Sequence, residues 1–226
     1  MDFDEAPPMP VDRYREGQRF IPGVETLYAV LRSVLDANCS PGARVLVIGA
    51  GGGREVEVLL PSPRRYRLLG IDPSADMLAI AKGFVADDTS VELRQAMLED
   101  VAERDFDAAT CCLVMHFLPD DGTKLAFLRE IRCRLLPGAP LLLADAVIDD
   151  RTQFEALHSA LAAHAGLLGL DPAIPAKAGE MTADMAFAQR SVISEARQRA
   201  LFAEAGFRLV AQVFRGFWFG AWWLEA

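Results

Sequence analysis

The chain has 226 residues, 52% hydrophobic and 24% charged, a length and balance that suit one compact α/β core. A net charge of −9 opposes attachment to a phosphate backbone or an anionic membrane over most of the surface, so no nucleic-acid or membrane partner is expected and a small-molecule substrate is. The acidic start Met1-Asp2-Phe3-Asp4-Glu5 is unlike a secretory signal, and no apolar run approaches the roughly 20 residues of a membrane span, so the expected location is cytoplasmic.

In chain order, residues 1–40 read as a proline-rich arm followed by an amphipathic helix over 24–37, with Leu27, Val30, Leu31, Val34 and Leu35 at helical spacing. Local basic clusters are the exceptions to the acidic balance: Arg13, Arg15 and Arg19, then Arg64, Arg65 and Arg67. Residues 44–56 read as an apolar strand, a glycine turn at Gly49, Gly51 and Gly53, and the start of a helix. A second apolar strand, 68–72, ends on Asp72. Glycine admits positive φ and lets a ligand lie against backbone amides, while an acidic residue about 20 positions on suits a ribose diol.

The glycine spacing discriminates among nucleoside ligands. A dinucleotide turn needs Gly-x-Gly-x-x-Gly, but counting from Gly49 the third glycine falls on Arg54, and counting from Gly51 it falls on Val56. What remains is Gly-x-Gly-x-Gly. A glycine turn alone also serves structural ends in many α/β domains, so the later segments carry weight. They are Ile71-Asp72-Pro73-Ser74-Ala75-Asp76-Met77-Leu78, strand-like runs at 91–98 and 106–118, the turn Leu135-Leu136-Pro137-Gly138, the apolar run 141–145, and Ala205-Gly206-Phe207 before an aromatic tail.

In kind and order these segments resemble the class I S-adenosylmethionine-dependent methyltransferases, over nearly the whole chain from about Tyr14. The resemblance implies a single domain over 1–226 with a doubly wound, mostly parallel, seven-stranded Rossmann-like sheet and an antiparallel C-terminal hairpin. It implies S-adenosyl-L-methionine as cofactor, with Gly49, Gly51 and Gly53 along its chain and Asp72 on the ribose. Pro73 and Met77 would flank the adenine, Met97 and Leu98 would lie at its edge, and Cys112 would sit at the fourth strand's ligand end. Two departures stand out. The position two before the first glycine, usually acidic in this family, is Val47, and the third-strand loop carries Ala96 where an acidic residue often meets the adenine.

Arg19-Phe20-Ile21-Pro22-Gly23 and the tail with Phe214, Phe217, Phe219 and Gly220 also resemble the carboxy-S-adenosylmethionine synthase branch, which would place Arg19 at the cofactor. That branch needs a cationic grip on an extra carboxylate. The insertion offers only Arg151, Lys177 and Arg190, so ordinary S-adenosylmethionine and methyl transfer to an oxygen, nitrogen or carbon acceptor is the favoured reading. A cofactor-binding module without catalysis is the non-enzymatic alternative.

Residues 148–193 leave the alternating pattern. A helix is expected over 154–170, a break at Asp171-Pro172-Ala173-Ile174-Pro175, and a second helix over 180–189. Placed after the fifth strand, this insertion reads as a substrate lid or as helices that simply cover the sheet. Methyl transfer requires positioning and exclusion of water, with a base only when the nucleophile is protonated. His116, just past the fourth strand, is the leading candidate base, against packing or loop bonding as its alternative. His158 and His164 are secondary, and Asp145 is a candidate to orient the substrate or a lid group. The histidine spacing of six does not suit a helical metal pair, and Cys39, Cys111, Cys112 and Cys133 suggest neither metal nor disulfide, so no metal is expected. The aromatic tail reads mainly as core, leaving a homodimer open.

Overall fold

The structure is a computed structural model that describes residues 18–85 and 88–226. The basic positions Arg13 and Arg15, with Tyr14, lie outside the described residues. In chain order the elements are α1 (Val24–Asn38), β1 (Arg44–Ile48), α2 (Arg54–Leu59), β2 (Arg67–Asp72), α3 (Ala75–Val85), β3 (Val91–Gln95), β4 (Ala108–Cys112), α4 (Thr123–Arg132), β5 (Pro140–Ala146), α5 (Arg151–Leu167), α6 (Ala173–Ala183), α7 (Glu195–Glu204), β6 (Arg208–Gly216) and β7 (Phe219–Glu225). Short 3₁₀ turns at Leu98–Asp100 and Met115–Phe117 follow β3 and β4, and a π-helical turn, Asp184–Ala188, extends α6.

The strands form one seven-stranded sheet in the order β3-β2-β1-β4-β5-β7-β6. The first five pair in parallel, and β7 inserts antiparallel between β5 and β6. Both faces of the sheet are covered, and β1 shows why its sequence is apolar throughout. Val45 and Val47 face the cluster built with α1 and α2, while Leu46 and Ile48 face the cluster built with α4 and α7. The order reverses at β1, so the chain leaves β1 and β4 in opposite directions and opens a crevice at their carboxyl ends. Gly49, Asp72, Cys112 and Asp145 all end up at that edge.

The tail forms the expected hairpin, with Phe219 opposite Ala146 and Glu225 opposite Pro140. Its rings turn inward: Trp218 and Trp222 are fully buried, and Phe202 meets Trp222 edge-on at 5.7 Å. In the insertion the second helix starts earlier than expected, at Ala173, with Pro172 as its cap and Pro175 inside its first turn. A proline there breaks nothing, because first-turn amides have no intrahelical acceptor anyway. The ends of the insertion are fastened together, with Val147 bridging Ile193 and the Ile148 amide donating to the Ile193 carbonyl at 3.0 Å. Its two helices lock through His158, whose imidazole lies where any side chain at Gly179 would collide. Phe154 and His158 stack at 5.6 Å, and Phe154 packs on Trp218 at 5.4 Å.

Candidate active site

The glycine turn is shaped by what presses on it. Gly49 has φ of 73°, and a Cβ there would lie 2.3 Å from Val114 Cγ2. Gly51 donates its amide to Asp72 Oδ2 at 2.9 Å, and a Cβ there would meet that oxygen and the Met77 side chain. The Ser74 amide donates to Asp72 Oδ1, also at 2.9 Å. Asp72 is thus held by one backbone donor on each oxygen, which leaves lone pairs for further donors such as a diol. Burial pushes its pKa above the ordinary carboxylate value, and the Ser74 and Gly51 amides draw it part of the way back. Around it, the Pro73 carbonyl accepts from Gln95, and Met97 is 37% exposed.

Leu98 and Arg19 occupy different surroundings. Leu98 is buried in the core beneath β3 and β4, so its side chain supports the loop, and an adenine-edge contact at this position falls to backbone groups. A 3₁₀ turn has three residues per turn, and here it sends Leu98 inward while leaving Met97 outside. Arg19 is exposed on the turn before α1, and no contact joins it to the glycine turn or Asp72 among the described residues.

Cys112, buried at the end of β4, meets a residue that motif reading passed over. Glu55, in the first turn of α2, is only 4% exposed. The Cys112 thiol and the residue's own backbone amide supply its hydrogen bonds, and Oε1 has no partner. Burial raises its pKa to about 7, with Asp72 adding to the rise and Arg54 opposing it. The signal for this lay in helical spacing, since Glu55 shares a face with the fully buried Leu59 four residues on.

Past β4 the backbone turns sharply at Leu113, whose φ of 60° lies in the left-handed region and whose amide donates to the Ala144 carbonyl at 2.7 Å. The following 3₁₀ turn carries His116 to the end of β5. There His116 Nδ1 lies 2.5 Å from Asp145 Oδ1, and the ring packs on Phe117 with centroids 4.2 Å apart. Asp145 is 2% exposed and also accepts from the Ala146 amide at 2.8 Å. With that carboxylate on Nδ1–H, Nε2 is the ring nitrogen that keeps its lone pair. Lys124, equally buried, donates Nζ to the Met115 carbonyl at the start of the same turn. Burial lowers its pKa, while Asp145 and Asp120 hold it up, so the lysine both braces the turn and offsets the buried aspartate.

The other histidines are packing elements. His158 meets the Pro175 carbonyl at 3.3 Å, and His164 meets Phe217 edge-on. No group of three metal-binding side chains occurs among the described residues. Arg151 of the insertion lies 4.2 Å over the Phe187 ring. A groove of about 490 Å³ opens between Pro119–Asp121 and 189–197.

This geometry agrees with the comparisons. Residues 45–138 match the family model of a methyltransferase domain. That stretch of the chain is a methyltransferase domain. Ubiquinone biosynthesis O-methyltransferase of Xanthomonas campestris pv. campestris is 32% identical over 108 residues, 46% of this chain and 43% of that protein. The match thus spans less than half the length of that curated relative. Among solved structures, a SAM-dependent methyltransferase from Aquifex aeolicus shares the methyltransferase fold with a TM-score of 0.61 at 18% identity, over 93% of this chain and 97% of that one. The CurJ carbon methyltransferase gives 0.67 at 17% identity, over 98% and 61%. The cofactor of this superfamily is S-adenosyl-L-methionine, and the methyltransferase domain here has residues that fit it: Asp72 with spare lone pairs, a glycine turn with no room for side chains, and a buried carboxylate oxygen lacking a donor. No helix among the described residues is long and apolar enough to cross a membrane.

Proposed function

We propose that this protein is a cytoplasmic enzyme that transfers the methyl group of S-adenosylmethionine to a hydroxyl of a small molecule, with His116 as general base. The observation that carries this reading is the His116–Asp145 pair, 2.5 Å apart at the carboxyl edge of the sheet. Bound at the glycine turn and Asp72, the cofactor supplies an electrophilic methyl on a sulfonium. The chain's own contribution is to orient the acceptor, exclude water and take up the hydroxyl proton at His116 Nε2 as the oxygen attacks. Asp145 fixes the ring and stabilises the imidazolium that results.

A thioether nucleophile, which has no proton to lose, needs no such base, and a purely cofactor-binding module has no use for one. The curated relative is named an O-methyltransferase, which agrees with an oxygen acceptor. The insertion at 148–193 serves in this reading as a lid, and the groove between 119–121 and 189–197 as the acceptor's approach.

The test is a panel of hydroxylated small molecules incubated with protein and S-adenosylmethionine, read as S-adenosylhomocysteine release and methylated product by mass spectrometry. In His116→Ala, turnover should fall about a hundredfold or more, with cofactor affinity and melting temperature nearly unchanged. Full activity in a stable variant would remove His116 as the base.

A further inference from the structure

Glu55 is a buried acid that methyl transfer from a sulfonium does not require. It sits over the carboxyl end of β1, with β2 and its Asp72 on one side and β4 and its Cys112 on the other. Its Oε1 has no hydrogen-bond partner and almost no solvent. A buried carboxylate oxygen with no donor is costly, and such an atom in a binding crevice marks a place for a donor brought by a ligand. The charges facing it are Asp72 from the end of β2, which repels, and Arg54 from its own helix, which attracts, while β4 presents only the thiols of Cys111 and Cys112. Arg54 is committed elsewhere, to Glu25 at 2.5 Å and Glu57 at 3.0 Å. The position two before Gly49, where an acid would flank the same turn, is Val47, fully buried in the core.

We propose that Glu55 is the anionic partner of the cofactor's α-ammonium group, so that the amino-acid end of S-adenosylmethionine is held by a helix residue after the glycine turn, in place of a strand residue before it. This rests on the cofactor reading above. A cation arriving at Oε1 supplies the missing donor and favours the ionised carboxylate, whose pKa burial otherwise raises to about 7. Binding should therefore displace a proton from Glu55 to solvent.

The experiment is calorimetric titration of wild type and Glu55→Gln with S-adenosylmethionine and with 5′-methylthioadenosine, which keeps the adenosine and lacks the ammonium. Each titration is run at pH 7 in two buffers of different ionisation enthalpy. The expected result is a loss of about tenfold or more in S-adenosylmethionine affinity in Glu55→Gln, an unchanged 5′-methylthioadenosine affinity, and greater proton release by wild type than by the variant on binding S-adenosylmethionine. Equal S-adenosylmethionine affinity in the two proteins would overturn the assignment, as would an equal loss for both ligands, which would make Glu55 a support of pocket shape. Failure of wild type to bind either nucleoside would overturn the cofactor reading itself. Melting temperatures of the two proteins verify that the amide variant is folded.

Discussion

Replacing Glu55 by glutamine should make the ligand-free protein more stable at alkaline pH and change little at acid pH. The side chain is wholly buried, and its carboxyl titrates near 7 in the fold against about 4.5 as its ordinary value. The folded value is the higher one, so the native state binds the proton more tightly. The group is then harmless below pH 4.5, costs progressively more as pH rises toward 7, and reaches a constant penalty above that. At ~1.4 kcal/mol per tenfold difference in proton affinity, the penalty levels off at about 3 kcal/mol, most of which develops between pH 5 and pH 8. Glutamine has nearly the same shape and no charge to desolvate, so it removes the penalty without opening a cavity. Urea unfolding of both proteins at pH 5, 6, 7 and 8 measures the difference directly. For a domain of this size the plateau corresponds to a melting-temperature advantage of roughly 6–12 °C at pH 8. A wild type to variant difference that stays constant across this range, or a variant less stable at pH 8, would refute the argument, because either shows a carboxylate stabilised by partners the fold does not contain.

Asp145→Asn should keep the ring of His116 in place but remove the charge that stabilises its imidazolium and add an NH2 donor that favours the wrong tautomer, lowering turnover on the order of a hundredfold or more while S-adenosylmethionine affinity by calorimetry stays within about twofold. Asp72→Ala should weaken S-adenosylmethionine by about 1–3 kcal/mol, the cost of losing hydrogen bonds to a charged acceptor; unchanged affinity in a folded variant would remove Asp72 from the site.

The sheet could be read from sequence because its signals are local. Val45 to Ile48 and Leu141 to Ala144 are apolar without alternation, which marks strands covered on both faces, and glycines, Asp72 and Pro137-Gly138 punctuate them at the right intervals. The early start of the second insertion helix was missed because two prolines look like a break, whereas first-turn geometry tolerates both. His116 was legible as a residue just past β4, but its attachment to Asp145, 29 residues away, depends on a left-handed Leu113 that no propensity predicts. Glu55 and Lys124 were illegible for a related reason. Each is a charged residue among ordinary helix residues, and only the packing of α2 and α4 onto the sheet shows that neither reaches solvent.

The fastening of Val147 to Ile193 has a consequence for how such a protein diversifies. Because the chain departs from and returns to the sheet through one hydrogen-bonded neck, the helices between can change length or sequence while the loop-closure cost stays nearly constant and the strands keep their register. The parts that would grip the nucleoside lie on β1 and β2, outside this neck. If the insertion is the lid proposed above, acceptor choice and cofactor use are separable traits, and grafting another helical segment between residues 147 and 193 becomes an engineering route to new acceptors, provided the graft also supplies an apolar side chain to cover Trp218.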